Sequence, residues 1–348
     1  IAFSLANAVG ILDAVRDSGQ VPPEQFSQVF GSISFFVNAG IRFIEEICKM
    51  RAFTELWDRI GLERYGVTDE KARRFRYGVQ VNSLGLTEAQ PENNIQRIVL
   101  EMLAVSLSKN ARARSIQLPA WNEALGLPRP WDQQWSLRMQ QVLAFETDLL
   151  EYADIFDGST VIEKKTADLR DAAWAEYEEI LAMGGAFESV DTLKGRLVKS
   201  MAERTRRIES GEQIVVGVNS YTEFEESPLG GEGNIVKVDH DVERQMIEDV
   251  VAWRANRNEA AVQAAIAELR VAAQGNDNIM EPSIALAKAG GTTGEWSGAL
   301  REVFGEFRAP TGVAAAVGKR PGELAEVAAY VRTIPGGPPK LLVAKPGL

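Results

Sequence analysis

Strand-like and helix-like segments alternate through the first 130 residues, and this alternation constrains the fold more than any other feature of the sequence. Short strand-like runs at 33–37, 75–81 and 112–118 are separated by amphipathic helical stretches at 40–60 and 91–108. The first run is almost entirely apolar, as a strand covered on both faces should be. We therefore predict an α/β fold with three adjacent parallel strands, either a piece of a doubly wound sheet or of a (β/α)₈ barrel.

Beyond residue 130 the sequence becomes mainly helical. Stretches at 131–152, 164–183, 190–210 and 242–273 are long, rich in Ala, Glu and Arg, and helical in their period. One strand candidate, at 213–217, interrupts them, and His240 is expected in an acidic loop. We predict a helical part over 131–334, then a Pro- and Gly-rich linker and a terminal strand within 335–348.

The composition excludes several classes of protein. The chain has 38 basic and 49 acidic residues, a net charge of −11, which opposes a broad nucleic-acid-binding surface. No run approaches the roughly 18 consecutive apolar residues of a membrane span. The single cysteine, Cys48, permits no internal disulfide, and the single histidine, His240, makes a His-based metal site hard to build. We expect a cytoplasmic protein with no nucleic-acid or membrane partner.

Polar side chains interrupt two of the predicted strands. Gln80 stands in an apolar run just before the carboxyl end of the second strand. Arg112, Arg114 and Gln117 recur along the third strand, where alternate residues face the same side. At the mouth of a barrel such residues face a ligand, and on an edge strand they face water. The pattern alone is compatible with both interpretations.

Several segments together resemble the adenosylcobalamin-dependent acyl-CoA mutases, and their residues are most similar to those of the ethylmalonyl-CoA mutase branch. They are 75–86 (FRYGVQVNSLGL), 112–123 (RARSIQLPAWNE), 341–348 (LLVAKPGL), 34–36 (SFF), 48–51 (CKMR) and the stretch from 278 to 307. The similarity extends over nearly the whole chain. It implies an isomerase that rearranges a branched acyl-CoA by radical chemistry, with adenosylcobalamin as the cofactor.

The resemblance also implies how the chain is divided. Residues 1–130 would be the last part of the acyl-CoA-binding (β/α)₈ barrel, 131–334 a helical extension and linker, and 335–348 the approach to a cobalamin-binding domain. The family's catalytic histidine is expected before Ile1 and its cobalt-ligating histidine after Leu348. The chain alone would then hold no catalytic residue and no metal ligand, and would be inactive. As a whole, the enzyme is expected to be a homodimer.

Four residues fall on positions that contact the substrate in this family. Arg51 and Phe53 lie in the CoA-contacting stretch, where a guanidinium offers phosphate a planar fork of donors. Gln80 falls on a barrel glutamine, and an amide can orient a carbonyl without protonating it. Gly78 stands where methylmalonyl-CoA mutase has a histidine, which would leave room for an extra methylene. The simpler interpretation of Arg51 is a solvated helix residue.

Four more residues fall on positions that contact the cofactor: Ser83, Arg114, Glu123 and Gly126. A carboxylate at Glu123 could accept hydrogen bonds from the adenosyl ribose, although an acidic residue near a helix start also interacts with the helix dipole. Ser83 and Gly126 could equally be turn residues. Arg114 and Pro119 depart from methylmalonyl-CoA mutase, which has glutamine and asparagine there.

The resemblance leaves three functions open. The first is conversion of ethylmalonyl-CoA to methylsuccinyl-CoA. The second is the same reaction on methylmalonyl-CoA or another branched acyl-CoA. The third is a non-catalytic partner subunit of such a mutase.

Overall fold

A computed structural model describes residues 1–223, 225, 227, 233, 235–275, 277–306 and 329–333 of the chain. The described residues from Ile1 to Val236 form one compact unit, and those from Lys237 to Glu306 belong to a second. No described helix combines the length and hydropathy needed to cross a membrane.

The first unit is built on a three-stranded parallel sheet. Its strands are β1 (Phe35–Ala39), β2 (Tyr77–Val81) and β3 (Ser115–Gln117), in the spatial order β1-β2-β3. Val37 pairs with Val79, and Val79 with Ile116. The prediction of three adjacent parallel strands is confirmed, although each strand begins two or three residues later than the sequence indicated. The mixed α/β class is therefore established, whereas three strands alone do not distinguish a barrel from an open sheet.

Helices make up most of the residues that the structure describes. In the first unit they are α1 (Ala2–Asp17), α2 (Phe26–Ser32), α3 (Phe43–Arg59), α4 (Glu70–Arg73), α5 (Asn93–Ser106), α6 (Pro130–Phe145), α7 (Thr160–Ala182) and α8 (Val190–Glu209). In the second unit they are α9 (His240–Asn256), α10 (Glu259–Gln274), α11 (Met280–Ala289) and α12 (Thr293–Phe304). Helical crossovers between parallel strands are thus present, as the alternating pattern predicted.

The strand predicted at 213–217 is wrong. Val216 makes only an isolated bridge to Ser220, and the segment is a turn instead. The side chain of Asn219 accepts a hydrogen bond from the N–H of Val215 at 2.7 Å and donates to the carbonyl oxygens of Ile208 and Gln213 at 2.7 and 2.8 Å. This one amide satisfies backbone groups that a partner strand would otherwise have to satisfy.

Three further predictions need correction. The helix predicted over 242–273 is two helices: the first ends at Asn256, and Asn258 caps the second by accepting a hydrogen bond from the N–H of Ala261 at 3.1 Å. His240 is not in a loop but is the first residue of α9, which Asp239 caps. The helix predicted to reach residue 152 ends at Phe145. The linker and strand predicted at 335–348 lie outside the described residues.

Aromatic side chains form the core on one face of the sheet. Phe53 of α3 stacks on Phe75 with ring centroids 5.0 Å apart, and Phe75 also contacts Phe35 of β1. On the same side, Phe30 of α2 stacks on Trp57 at 4.3 Å. Such pairs stabilise a core beyond the area they bury. This packing fixes which face of each strand is buried and leaves the opposite face to other residues.

Gly61→Ala should destabilise this core. Gly61 lies in the π-helical turn Ile60–Arg64 that follows α3. A Cβ there would lie 2.8 Å from the Phe30 ring and 3.0 Å from Cγ of Arg73, and Phe30 cannot move away from Trp57 without losing its stacking. We expect a loss of about 1–3 kcal/mol in the free energy of unfolding, measured by denaturant titration.

Gly31→Ala is the matched control for that prediction. Gly31 is also helical, but its added Cβ would meet Ala72 at an ordinary 3.4 Å. We expect a change within about 0.5 kcal/mol there. Equal losses in the two variants would contradict the overpacking argument.

Candidate functional site

The sheet face opposite the aromatic core carries two rows of side chains. Side chains alternate between the faces of a strand. Because Val37 and Val79 are buried and Ile116 is partly buried against the same core, their neighbours face the opposite side. One row consists of Asn38, Gln80 and Gln117, and the other of Phe36, Gly78 and Ser115. We call these six residues the open face. Asn38, Ser115 and Gln117 are exposed, and Phe36 is 64% exposed.

The first row of the open face is a line of three amides. Asn38, Gln80 and Gln117 occupy paired positions on adjacent strands, which are about 4.8 Å apart in a sheet. Each amide offers both donors and an acceptor and carries no charge. Such a row can orient carbonyl and amide groups of a ligand without transferring protons to them.

Gly78 has no side chain and therefore leaves a gap in the middle of the second row. A Cβ on Gly78 would lie 2.8 Å from Oγ of Ser115 and 3.2 Å from Cδ2 of Phe36. Any side chain at this position therefore requires both neighbours to shift. Glycine leaves the middle of the open face accessible between an exposed aromatic ring and a hydroxyl.

Two of the predicted cofactor-contacting residues follow the carboxyl ends of adjacent strands. Ser83 begins the 3₁₀ turn Ser83–Gly85 directly after β2, and Asn82 caps this turn by accepting a hydrogen bond from the N–H of Leu84 at 3.1 Å. Glu123 lies in the turn that follows β3 and is exposed. Because β2 and β3 are adjacent and parallel, the structure places Ser83 and Glu123 at the edge where ligands of parallel sheets bind.

Hydrogen bonds to a buried carboxylate fix the loop that carries Glu123 and Gly126. Asp132 accepts hydrogen bonds from Nε1 of Trp121 at 3.0 Å, Nδ2 of Asn122 at 2.8 Å and the backbone N–H of Arg129 at 2.8 Å. Burial by itself would raise the pKa of Asp132, but these hydrogen bonds and the Arg129 guanidinium outweigh it and lower the pKa. Asp132 is therefore an ionised anchor for this loop.

Asp132→Asn should loosen this loop. The amide keeps the shape of the side chain but places a donor opposite groups that donate, so charged hydrogen bonds worth about 1.5–3 kcal/mol in unfolding free energy are lost. Because the pKa of Asp132 is lowered in the folded state, its contribution is present at neutral pH and disappears as the pH falls through that pKa. Denaturant titrations of wild type and variant should therefore converge in acid, and a constant difference at all pH values would contradict this assignment.

Gly126 allows a second segment to reach the same loop. Its φ of +147° is accessible mainly to glycine, and an added Cβ would lie 3.0 Å from Cδ1 of Ile235. Leu127 forms an antiparallel bridge with Val236. Ile235 and Val236 therefore pack directly against the loop that carries Glu123.

The other predicted contacts lie elsewhere. Arg51 of α3 forms a 2.7 Å ion pair with Asp154, with 13% and 1% of the two side chains exposed, and Phe53 is buried in the aromatic core. Both are on the core side of the sheet, opposite Gln80. Arg114 is exposed just before the amino end of β3, whereas Ser83 and Glu123 follow carboxyl ends. Gly78 and Gln80 thus lie on the open face, and Ser83, Glu123 and Gly126 follow the carboxyl ends of β2 and β3, whereas these three residues lie elsewhere.

A cleft at the same edge contains residues that sequence reasoning missed. It has a volume of about 330 Å³ and lies between the turn after β2, helix α5, Arg204 of α8 and the turn at 213–216. Glu101 of α5 lines it and is 1% exposed. Burial, and next the charge of Glu46, raise the pKa of Glu101 to about 8. The available signal was a glutamate on the apolar side of α5, flanked by Ile98, Met102 and Val105.

No three His, Cys, Asp or Glu side chains converge into a metal site in the part of the chain that the structure describes. The polar groups at this edge are mostly neutral amides and hydroxyls. They suit an organic ligand with amide and hydroxyl groups better than a bare metal ion.

Comparison with known proteins identifies the family. The family model described as Methylmalonyl-CoA mutase matches residues 1–306. The chain belongs to this family. Ethylmalonyl-CoA mutases from Cereibacter sphaeroides and Methylorubrum extorquens are each 59% identical over 100% of the chain, which covers 54% and 51% of their lengths. Mitochondrial methylmalonyl-CoA mutase from Homo sapiens is 31% identical over 90% of the chain and 42% of its own length.

The chain spans about half the length of the curated relatives it matches. The predicted resemblance to acyl-CoA mutases is confirmed. The greater similarity to the ethylmalonyl-CoA mutases is confirmed as well, since the identity to them is nearly twice that to the human methylmalonyl-CoA mutase.

Proposed function

We propose that these residues are part of an adenosylcobalamin-dependent isomerase that converts ethylmalonyl-CoA to methylsuccinyl-CoA. The observation that carries the proposal is 59% identity to two ethylmalonyl-CoA mutases over the entire chain, against 31% to the human methylmalonyl-CoA mutase. The uncharged open face supports it, because a radical rearrangement needs a substrate that is held and oriented rather than protonated.

We further propose that β1, β2 and β3 are the last three strands of a (β/α)₈ barrel whose interior is the open face. Three features support this: the strands are parallel and in sequential order, the helices α3 and α5 that follow β1 and β2 pack on the opposite face, and the open face is polar. In such a barrel the edges of β1 and β3 would pair with further strands of the complete protein.

On the open face, Gln80 would orient the thioester carbonyl with its amide. Gly78 would leave room beside the branch of the acyl group, and Phe36 would shield that branch from water. Arg51 and Phe53 would act in the CoA-contacting stretch. Their buried partners, Asp154 and Phe75, support a role in shaping this region more directly than a contact with CoA.

The residues at the carboxyl edge fit adenosylcobalamin in their chemistry. Corrin carries amide side chains, and Ser83, Asn82 and the amides of the open face are neutral donors and acceptors. Glu123, exposed and carried by an anchored loop, can accept hydrogen bonds from ribose hydroxyls. Gly126 lies on the same loop. The position of Arg114, at the other end of β3, gives its proposed contact no support.

When bound, adenosylcobalamin supplies the radical chemistry, and this chain's residues bind, orient and exclude water. The complete enzyme would also need a cobalamin-binding domain or chain, would work as a homodimer, and would be cytoplasmic. These partners follow from the family resemblance alone.

The test is a product assay on the complete polypeptide that contains this chain. With adenosylcobalamin and ethylmalonyl-CoA, mass spectrometry should detect methylsuccinyl-CoA, and kcat/KM should be higher than with methylmalonyl-CoA. A preference for methylmalonyl-CoA would contradict the proposed substrate but support the proposed type of reaction. Absence of product from both thioesters would refute the proposed catalytic activity and would favour a non-catalytic subunit.

A further inference from the structure

Glu101 is buried beneath the turn that carries Ser83. An ideal Cβ on Gly85 would lie 3.7 Å from Oε1 of Glu101 and 3.7 Å from Nδ2 of Asn82, so the carboxyl lies against this turn. A hydrogen bond from the backbone of Asn82 opposes the rise in the pKa of this carboxyl, but burial and the charge of Glu46 outweigh it. The other oxygen, Oε2, is buried and has no hydrogen-bond partner, and it belongs to a side chain that lines the cleft.

The charges around Glu101 disfavour its ionised form. On α3, Glu46 forms an ion pair with Lys49, whose Nζ also donates to the carbonyl oxygen of Asn38 at 2.6 Å. The positive charge of Lys49 is therefore already paired with the carboxylate of Glu46. On α5, Arg97 donates to Thr87 and to the carbonyl oxygen of Val216.

Arg204 of α8 also lines the cleft. The Arg97 guanidinium favours the anion, yet burial and Glu46 dominate, so that the pKa of Glu101 is about 8.

We propose that Glu101 is a positioning residue which, as a neutral carboxyl, holds the turn at 82–85 and so fixes Ser83 at the carboxyl end of β2. Ionisation places a second negative charge beside Glu46 in a site with little access to water. The turn is then released to let water reach Glu101. The importance of this turn for catalysis rests on the proposed function, but the coupling between Glu101 and the turn does not.

Hydrogen exchange in the complete polypeptide, without cofactor, tests the coupling. In the closed turn Glu101 keeps its proton up to about pH 8, whereas in the opened turn its pKa is near the ordinary glutamate value of 4.5. Between these values opening releases a proton. The protection factor of the amides at 83–86, corrected for intrinsic exchange, should therefore fall about tenfold per pH unit and level off above pH 8.

Glu101→Gln supplies the decisive comparison. The neutral amide cannot ionise, so protection at 83–86 should be independent of pH over the same range. Glu88→Gln is the matched control, since Glu88 is exposed in the same loop and should leave the wild-type slope unchanged. Equal slopes in wild type and Glu101→Gln would overturn the proposal.

A second measurement on the wild type covers the case in which Glu101→Gln fails to fold. Infrared difference spectra should contain the carbonyl band of a protonated carboxyl at pH 7 that disappears through about pH 8. Absence of that band at pH 7 would also overturn the proposal. A pH-dependent turn in a protein without mutase activity would refute the proposed function alone, whereas an active mutase with a pH-independent turn would refute the role of Glu101 alone.

Discussion

Gly78→His should lower kcat/KM for ethylmalonyl-CoA more than for methylmalonyl-CoA, changing the ratio of the two by about 10- to 200-fold in the complete enzyme. A Cβ at this position is already 2.8 Å from Ser115 and 3.2 Å from Phe36, so the imidazole can extend only outward over the open face. There it would occupy the space that we assign to the ethyl branch. The smaller methyl branch would retain more room.

Gly78→Ala distinguishes two possible causes of a lower kcat/KM: displacement of Ser115 and Phe36, and occupation of the space for the ethyl branch. The alanine methyl displaces Ser115 and Phe36 as the histidine would, but it adds no ring over the open face. We expect both thioesters to be affected to a similar extent in this variant. If Gly78→His also lowers both values of kcat/KM by one common factor, Gly78 does not select the length of the branch.

Asp154→Ala should lower the free energy of unfolding by about 3–5 kcal/mol, the largest stability change that we expect from a single substitution here. The side chain of Asp154 is 1% exposed and accepts hydrogen bonds from the Arg51 guanidinium at 2.7 Å and from the backbone N–H groups of Asn110 and Phe156 at 2.8 and 3.0 Å. Removing the carboxylate leaves the largely buried guanidinium without its countercharge. Denaturant titration of the complete protein measures the loss.

The double variant Arg51→Met, Asp154→Leu tests the physical cause. Replacing both charges by apolar groups removes the unpaired guanidinium, so a substantial part of the stability should return. A loss below about 1 kcal/mol in Asp154→Ala, or no recovery in the double variant, would contradict a buried structural ion pair. Unchanged CoA affinity in a folded double variant would assign Arg51 to structure rather than to substrate binding.

The sheet was predictable because its determinants are local. Val37 and Val79 fall in short apolar runs separated by amphipathic helices, and period-two alternation then places Gln80 on the face opposite the core. The prediction failed where a local polar network outweighed propensity. The β-branched residues at 213–217 favour a strand, yet the Asn219 side chain satisfies their backbone as a turn.

Other features depend on residues distant in sequence. Arg51 and Asp154 are separated by 103 positions, and no local pattern indicates that they meet. The strain that a side chain at Gly126 would encounter comes from Ile235. Glu101 was detectable as a carboxyl on an apolar helix face, but the Glu46 charge that helps to raise its pKa lies on a different helix.

The proposed function requires that the open face binds the acyl group of the substrate. A structure of the complete protein with ethylmalonyl-CoA and adenosylcobalamin bound tests it most directly. We expect the acyl group within about 4 Å of Gly78 and Gln80, with the corrin beside Ser83 at the carboxyl edge. An acyl group bound on the α3 side of the sheet, or away from all three strands, would contradict it.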